Sequence, residues 1–349
     1  MLVPEVGCFP PSFEPNRSER VLHVALRTPQ ETQPSLNAAL ASLCHPFANR
    51  GGVIDWQVSE KRGSLVDDLL TAAYELRPTL IFMQLQRETP ITREVIQKVR
   101  AYVPPECVIV NWDGDQHYHP VDVQRRWFVE LGQACDTSLV VNTRHPDEYA
   151  AQKVRHPGYL QIGVDDRYKP APPAPGTPDV VLLAGCYPHI PAYERRREVA
   201  RQMQELLGAR FGVYGGRWTG GKWPSGRPPL TQSQEPPVYA GAKAAISMSI
   251  CNDLPRYTSD RLFRALASGA VTLVERFPDM EGLGLEHGRN CYTWESAELE
   301  AIVGNVVDEL YSDVRAEVRT NAVALAAHHT WHARMGELMA IVEAVRATR

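Results

Sequence analysis

From about residue 20 onward, short β-branched runs alternate with amphipathic stretches: RVLHVALR, PSLNAALASL, GVIDWQV, SLVDDLLTAAYEL, TLIFMQ, ITREVIQKVRAYV and CVIVNW. Strands separated by helices pair in parallel, so this alternation predicts βαβ units on a parallel sheet. TSLVVN and a short strand near YLQIG continue it. KPAPPAPGTPD, residues 169–179, then breaks the pattern: its prolines cannot enter a sheet interior and its small residues bury little, so it reads as a linker. A second series follows: VVLLAG, the helix of YERRREVARQMQELLG, RFGVYG, a Gly/Pro/Trp loop, VYAGAKAAISMSI, SDRLFRALASGAVTLVER and ELEAIVGNVVDELY, with helices from about residue 312. The fold class expected is α/β, with two Rossmann-like, doubly wound domains facing a cleft and C-terminal helices. In such sheets ligands bind at the carboxyl ends of the strands, where helix N-termini point. The divisions are an N-terminal arm (1–19), a first domain (20–168), the linker, a second domain (180–330) and a last helix (331–349) that packs back on the first domain.

The length of 349 residues gives each domain enough chain for its own core. No apolar run approaches the roughly 18 residues a membrane helix needs. MLVPEVGCFPPSFEPNRSER lacks the basic-then-apolar order of a secretory leader and reads as a loose arm. The seven cysteines lie far apart with no C-x-x-C pair, which indicates neither a zinc site nor a disulfide framework and suits a reducing cytoplasm. A net charge of −4 argues against a wholly basic nucleic-acid binder and leaves room for a local basic patch.

SDRLFRALASGAVTLVER, residues 259–276, poses a question of charge. Ser259 suits an N-cap, Leu262, Phe263 and Leu266 share one helix face, and Gly269 suits the left-handed residue that ends a helix. Arg261 then falls in the first turn, where a cation costs roughly 0.3 to 1 kcal/mol against the positive helix end unless an anion lies beside it. A phosphate would satisfy it. So would a neighbouring carboxylate on a solvated face.

That string, followed by a strand and PDMEGLGLEHGRNCYTWESAELEAIV, resembles the nucleotide-sugar end of GT-B glycosyltransferases, in the family-1-like group that includes the spore-maturation protein CgeB. LQIGVDDRYKP, VVLLAGCY, RFGVYGGRW and VYAGAKAAISMSI agree in order, so the likeness covers most of residues 105–335. It implies a GT-B fold whose second domain binds a nucleotide-sugar donor and whose first faces the acceptor. Arg261, Ser259 and the first-turn amides would hold the diphosphate, with Asp260 and Tyr257 beside them, Gly185 approaching the ligand closely, and Arg217 or Lys222 of the YGGRWTGGKWPSGR loop assisting. That loop could equally be a surface loop whose tryptophans pack on the domain. Many retaining relatives carry a Glu-x7-Glu pair across this helix, and the aligned positions here are Arg256 and Arg264, which argues against a retaining mechanism. Glu275 or Glu281 could supply a carboxylate.

NWDGDQHYHP follows the buried strand CVIV. An inverting transferase needs a carboxylate to take the acceptor proton, and the Trp-x-Gly-Asp pattern shared with the related sequences puts that base at Asp115, with Asp113 as understudy. An Asx turn in which both acids cap backbone amides is the alternative. Trp112, His117 and His119 would line the acceptor side; two histidines without a third ligand make no metal site, so none is expected. HHTWH near residue 330 reads as structural. The basic runs ERRREVARQ and QRRW read as solvated faces, or as a track for a polyanion if several faced one way.

The function expected is a metal-independent, cytoplasmic hexosyltransferase that moves sugar from a nucleotide sugar, a UDP-sugar first among them, with inversion. The acceptor expected is the hydroxymethyl group of a modified pyrimidine in DNA, as in bacteriophage relatives, where the host cytoplasm would be the location. A cell-surface glycan or protein acceptor, a nucleotide-sugar epimerase, and a catalytically silent DNA-binding module are the rivals.

Overall fold

The computed structural model describes residues 18–26, 33–44, 52–115, 123–186, 192–218, 223–308 and 312–349, the side chains of 123–125 and 192 excepted. The expected N-terminal arm, residues 18 and 19 apart, lies outside the described residues. The chain divides into two compact units: Met1–Asp165 with Trp331–Arg349, and Asp166–Thr330.

The strands described are β1 Val21–Ala25, β2 Gly52–Asp55, β3 Leu80–Met83, β4 Val108–Asp113, β5 Thr137–Val140 and β6 Gly158–Tyr159 in unit 1, and β7 Val180–Leu183, β8 Phe211–Tyr214, β9 Gly226–Arg227, β10 Ala244–Ser247, β11 Thr272–Glu275 and β12 Tyr292–Trp294 in unit 2. The helices are α1 Pro34–Ser42, α2 Trp56–Arg62, α3 Leu65–Leu76, α4 Arg93–Arg100, α5 Val123–Gly132, α6 His145–Ala151, α7 Ala192–Leu207, α8 Glu235–Gly241, α9 Asp260–Ala267, α10 Leu299–Val307, α11 Ser312–Ala327 and α12 Trp331–Ala347.

In unit 1 the order β2-β1-β3-β4-β5-β6 is parallel throughout, with β1 pairing Val21 to Leu80 of β3 and Leu22 to Gly52 of β2. The central strands are buried along their whole length, as parallel strands covered on both faces must be. Local sequence sets the helices. In α4, Val95, Ile96 and Val99 form the buried stripe, while Glu94 in the first turn and Lys98 and Arg100 in the last complement the helix dipole. Asp55 caps α2 by accepting the Val58 N–H at 3.1 Å, and Gly63 ends it at φ +75°.

The last helix completes unit 1. Trp331 is 1% exposed and meets Trp112 edge-on at 5.4 Å between ring centroids. Gly163 lets the Trp331 ring approach, since a Cβ there would lie 2.6 Å from it. At the far end of α12, Arg346 holds buried Glu19 through two bonds of 2.8 and 2.9 Å and donates to the Thr79 carbonyl at 3.1 Å. Burial opposes ionisation of Glu19, yet the bonds from Arg346 and Thr79 hold its carboxyl below the usual range.

Unit 2 repeats the architecture with the order β12-β11-β10-β7-β8-β9, again parallel throughout. The two-residue strand β9 lies in the stretch that reads from sequence as an irregular Gly/Pro/Trp loop. The proline-rich segment is bonded into this unit: the Ala174 N–H donates to the Pro237 carbonyl at 2.9 Å. His329, from the HHTWH stretch, is fully buried, stacks on Phe263 at 4.2 Å and bonds the Leu283 carbonyl at 3.0 Å.

Two outcomes follow. Trp331→Ala will cost about 3 to 5 kcal/mol through the cavity beside Trp112, read as a lowered denaturant midpoint. Burial pushes the His23 imidazole from 6.5 down to about 4, against the bond to Gln84 at 2.9 Å. The unfolded chain therefore takes up this proton first as pH falls from 6.5 toward 4. Stability decreases across that window by up to about 3 kcal/mol, and His23→Gln will flatten the fall in denaturant titrations at pH 7, 5.5 and 4.

Candidate functional site

The carboxyl ends of β7, β10 and β11 lie side by side in unit 2. Immediately after β7, the Ala184 N–H donates to Tyr214 at 2.8 Å and the Cys186 N–H to Gly216 at 3.0 Å, so the turn holding Gly185 is pinned to the end of β8. Gly215, at φ +151°, makes this possible, because a Cβ there would lie 2.3 Å from the Ala184 carbonyl oxygen. Trp218 is fully buried and its indole N–H donates to that same carbonyl. Trp223 packs edge-on against it at 4.8 Å. The loop tryptophans therefore brace the turn, and base stacking by Trp218 is ruled out by its burial.

Arg196 is the residue sequence reading missed. It belongs to the ERRRE run, read above as a solvated face, but it is 2% exposed. Its Nη1 donates to the Gly185 carbonyl at 2.8 Å and its Nη2 to the Met248 carbonyl at 3.2 Å, tying the ends of β7 and β10 together. Its guanidinium lies over the Tyr193 ring at 4.6 Å, and its Nε is buried without a partner among the described residues. Burial, and then the charge of Arg261, pull its pKa down to about 10. Its neighbours turn elsewhere: Arg195 pairs with Glu275, and Arg197 with Glu194. A basic residue at a helical spacing that faces the sheet was the available signal.

At α9, Ser259 takes the N-cap position with extended backbone, φ −78° and ψ 157°. Its N–H donates to Ser249 Oγ at 3.1 Å, while its own Oγ is shielded and unpartnered among the described residues. Arg261 is half-buried, its backbone N–H bonds the Asp260 carboxylate, and its guanidinium makes no side-chain hydrogen bond or close ion pair with a described residue. The neighbouring carboxylate, Asp260, makes its close ion pair with Arg264 at 2.5 Å and is held below the usual carboxylate range, against burial, by the charges of Arg264 and then Arg261. Two cations and a hydroxyl unpartnered among the described residues thus stand at the N-terminal end of α9, where an anion would be favoured.

Other expected residues fall differently. Asp260 pairs with Arg264 at 2.5 Å, and Tyr257 is 3% exposed. Arg217 sits exposed at φ +71°, and Lys222 lies outside the described residues. Arg256 pairs with Asp279 at 2.6 Å and Arg264 with Asp260 and Glu235, so acids compensate both arginines. Glu275 is buried against Arg195 and Asn252, and burial pushes its carboxyl up; Glu281 is exposed.

In unit 1, Asp113 ends β4 in a buried position and its Oδ1 accepts the Asp115 N–H at 3.1 Å. That is the Asx turn, and it leaves the Asp115 side chain exposed. Gly114 is required there, because a Cβ would run into the Trp112 ring at 2.2 Å. Trp112 is corrected as an acceptor contact: it is fully buried and its indole N–H donates to Leu160 at 2.9 Å. His117 and His119 lie outside the described residues. Among the described residues no group of three or more His, Cys, Asp or Glu could hold a metal, and no helix is long and apolar enough to cross a membrane.

Residues 195–340 match the family described as glycosyl transferase-like. No curated protein matches the sequence. Among solved structures, HepE from Anabaena, in complex with UDP and glucose, aligns with a TM-score of 0.60 at 12% identity, covering 92% of this chain and 99% of that one. TarM aligns at 0.55 and 11% identity over 80% of this chain. The pneumococcal O-GlcNAc transferase GtfA, in complex with UDP and GlcNAc, aligns at 0.52 and 13% over 82%. The chain spans 58% of TarM and 60% of GtfA. The fold is GT-B.

The two arginines will separate on substitution. Arg196→Ala orphans two carbonyls and will cost about 2 to 4 kcal/mol, whereas Arg261→Ala, which removes no side-chain hydrogen bond to a described residue, will leave thermal unfolding within about 0.5 kcal/mol. Calorimetry with inorganic pyrophosphate will show Arg261→Ala binding about ten- to a hundredfold more weakly.

Proposed function

We propose that the protein is a glycosyltransferase that moves a hexose from a UDP-sugar to an acceptor hydroxyl with inversion. The observation that carries this is the end of α9, where the Arg261 guanidinium makes no side-chain hydrogen bond with a described residue and buried Arg196 feels its charge. A nucleoside diphosphate is the leaving group such a site suits, because the charge that develops on departure falls between two guanidinium groups and a helix N-terminus. The glycosyl transferase-like match over residues 195–340 and the UDP complexes of HepE and GtfA support the same reading.

In the transfer step the acceptor oxygen attacks the anomeric carbon as the bond from that carbon to the phosphate oxygen breaks. UDP departs with the electron pair, and the acceptor proton passes to a carboxylate. Asp115 is the base in this reading, since it is exposed on a turn fixed by Asp113 and Gly114. Asp113 shapes the turn. As acceptor we carry forward the hydroxymethyl group of a modified pyrimidine in DNA, with a glycan or protein hydroxyl second. The basic run of α7 gives the DNA reading little, because Arg195, Arg196 and Arg197 are all engaged within the protein.

The test incubates the full chain with UDP- and GDP-hexoses and three acceptors: DNA containing 5-hydroxymethylcytosine or 5-hydroxymethyluracil, oligosaccharides, and peptides. Mass spectrometry of the products names the donor and the acceptor together. Asp115→Asn will keep donor affinity and lower transfer by about a hundredfold or more; full activity in that variant removes Asp115 as the base. Absence of any UDP or GDP binding removes the donor site.

A further inference from the structure

The first turn of α9 also carries a negative charge that works against an anion. Asp260 is its first residue, flanked by Ser259 and Arg261. Its charge is matched one turn along by Arg264, whose Nη2 lies 2.5 Å from Asp260 Oδ2. Arg264 Nη1 reaches Glu235 at 3.3 Å at the start of α8. The guanidinium lies over the Tyr168 ring at 5.1 Å, and the Tyr168 hydroxyl donates to Glu235 Oε2 at 2.9 Å. Both ends of Arg264 are thus taken by carboxylates. It has no free edge for a ligand, although it stands one turn from the anion site.

We propose that Arg264 is a positioning residue for anion binding: by neutralising Asp260 and Glu235 it leaves the Arg261 guanidinium to the diphosphate. This rests on the donor reading of the same site. Without Arg264, Asp260 keeps an uncompensated charge in the helix turn an anion must enter, and Arg261 is the nearest cation left to it. A purely structural brace between Tyr168, α8 and α9 would use the same contacts. The two roles part when the second charge is removed.

The experiment is calorimetric titration of the full chain with UDP and, separately, with inorganic pyrophosphate, which needs no nucleoside recognition. The proteins are wild type, Arg264→Gln, Asp260→Asn, the double variant and Arg264→Lys, each with its thermal unfolding recorded. Arg264→Gln will weaken both ligands about tenfold, and adding Asp260→Asn will restore affinity to within about threefold of wild type. Arg264→Lys will keep most of the affinity. Asp260→Asn alone, which is the variant safest for folding, will change affinity by less than about threefold, because its charge is already matched.

A double variant as weak as Arg264→Gln overturns the positioning role while leaving the donor site standing, as does a tenfold tightening by Asp260→Asn alone. A wild type that binds pyrophosphate with the expected pattern but not UDP overturns the donor reading and supports the inference. Binding of neither ligand overturns both.

Discussion

A single buried guanidinium sets the geometry of unit 2. Arg196 reaches two carbonyls, at Gly185 and Met248, that lie just beyond the ends of adjacent parallel strands. Parallel strands leave their terminal carbonyls without a ladder partner, and a buried carbonyl without a partner is costly. Arg196 satisfies both at once and so fixes the spacing of the turn that carries Gly185. A buried charge has its own penalty, however, and the hydrogen bonds and the Tyr193 ring offset only part of it. The low pKa of the group, about 10, records the remainder. A site that holds one cation under strain of this kind, with a second beside it, favours an anion between them.

Helix α9 uses its three charged side chains for different purposes. Arg264 and Asp260, four residues apart, form the pair that an i,i+4 spacing allows, and burial next to Glu235 and Tyr168 strengthens it. Arg261 makes no close ion pair with a described residue, although its charge also acts on Asp260. The helix therefore separates satisfied charge from unsatisfied charge by its own geometry, and the unsatisfied part lies at the positive end of the dipole.

Unit 1 builds its turn of acids from steric constraints. Trp112 fills the core under β4 and meets Trp331, and its ring leaves room two residues on, at Gly114, only for glycine. The chain then turns sharply, Asp113 accepts the Asp115 N–H, and the second carboxylate is turned outward. The final helix packs against it through Trp331. Glu19 and Arg346, distant in sequence, meet in one ion pair that ties the last helix into unit 1.

The alternation of apolar strands and amphipathic helices was enough to give two parallel sheets, because burial on both faces imposes a pattern that is local in sequence. Ser259, Arg261 and the helix they begin were legible for the same reason: caps and dipoles act within one turn. Arg196 was not legible, since an arginine in a run of arginines looks solvated until the sheet shows which one faces inward. Nor was the burial of Trp112, Trp218 and Tyr257, or the commitment of Asp260 to Arg264, because each depends on which distant segment arrives to cover or pair with the side chain. The sequence by itself determined where strands, helices and a positive helix end would form. Only the tertiary structure decided which charges are cancelled and which are left over, because side chains far apart in the chain, such as Arg264 and Glu235, must meet before their charges can be matched.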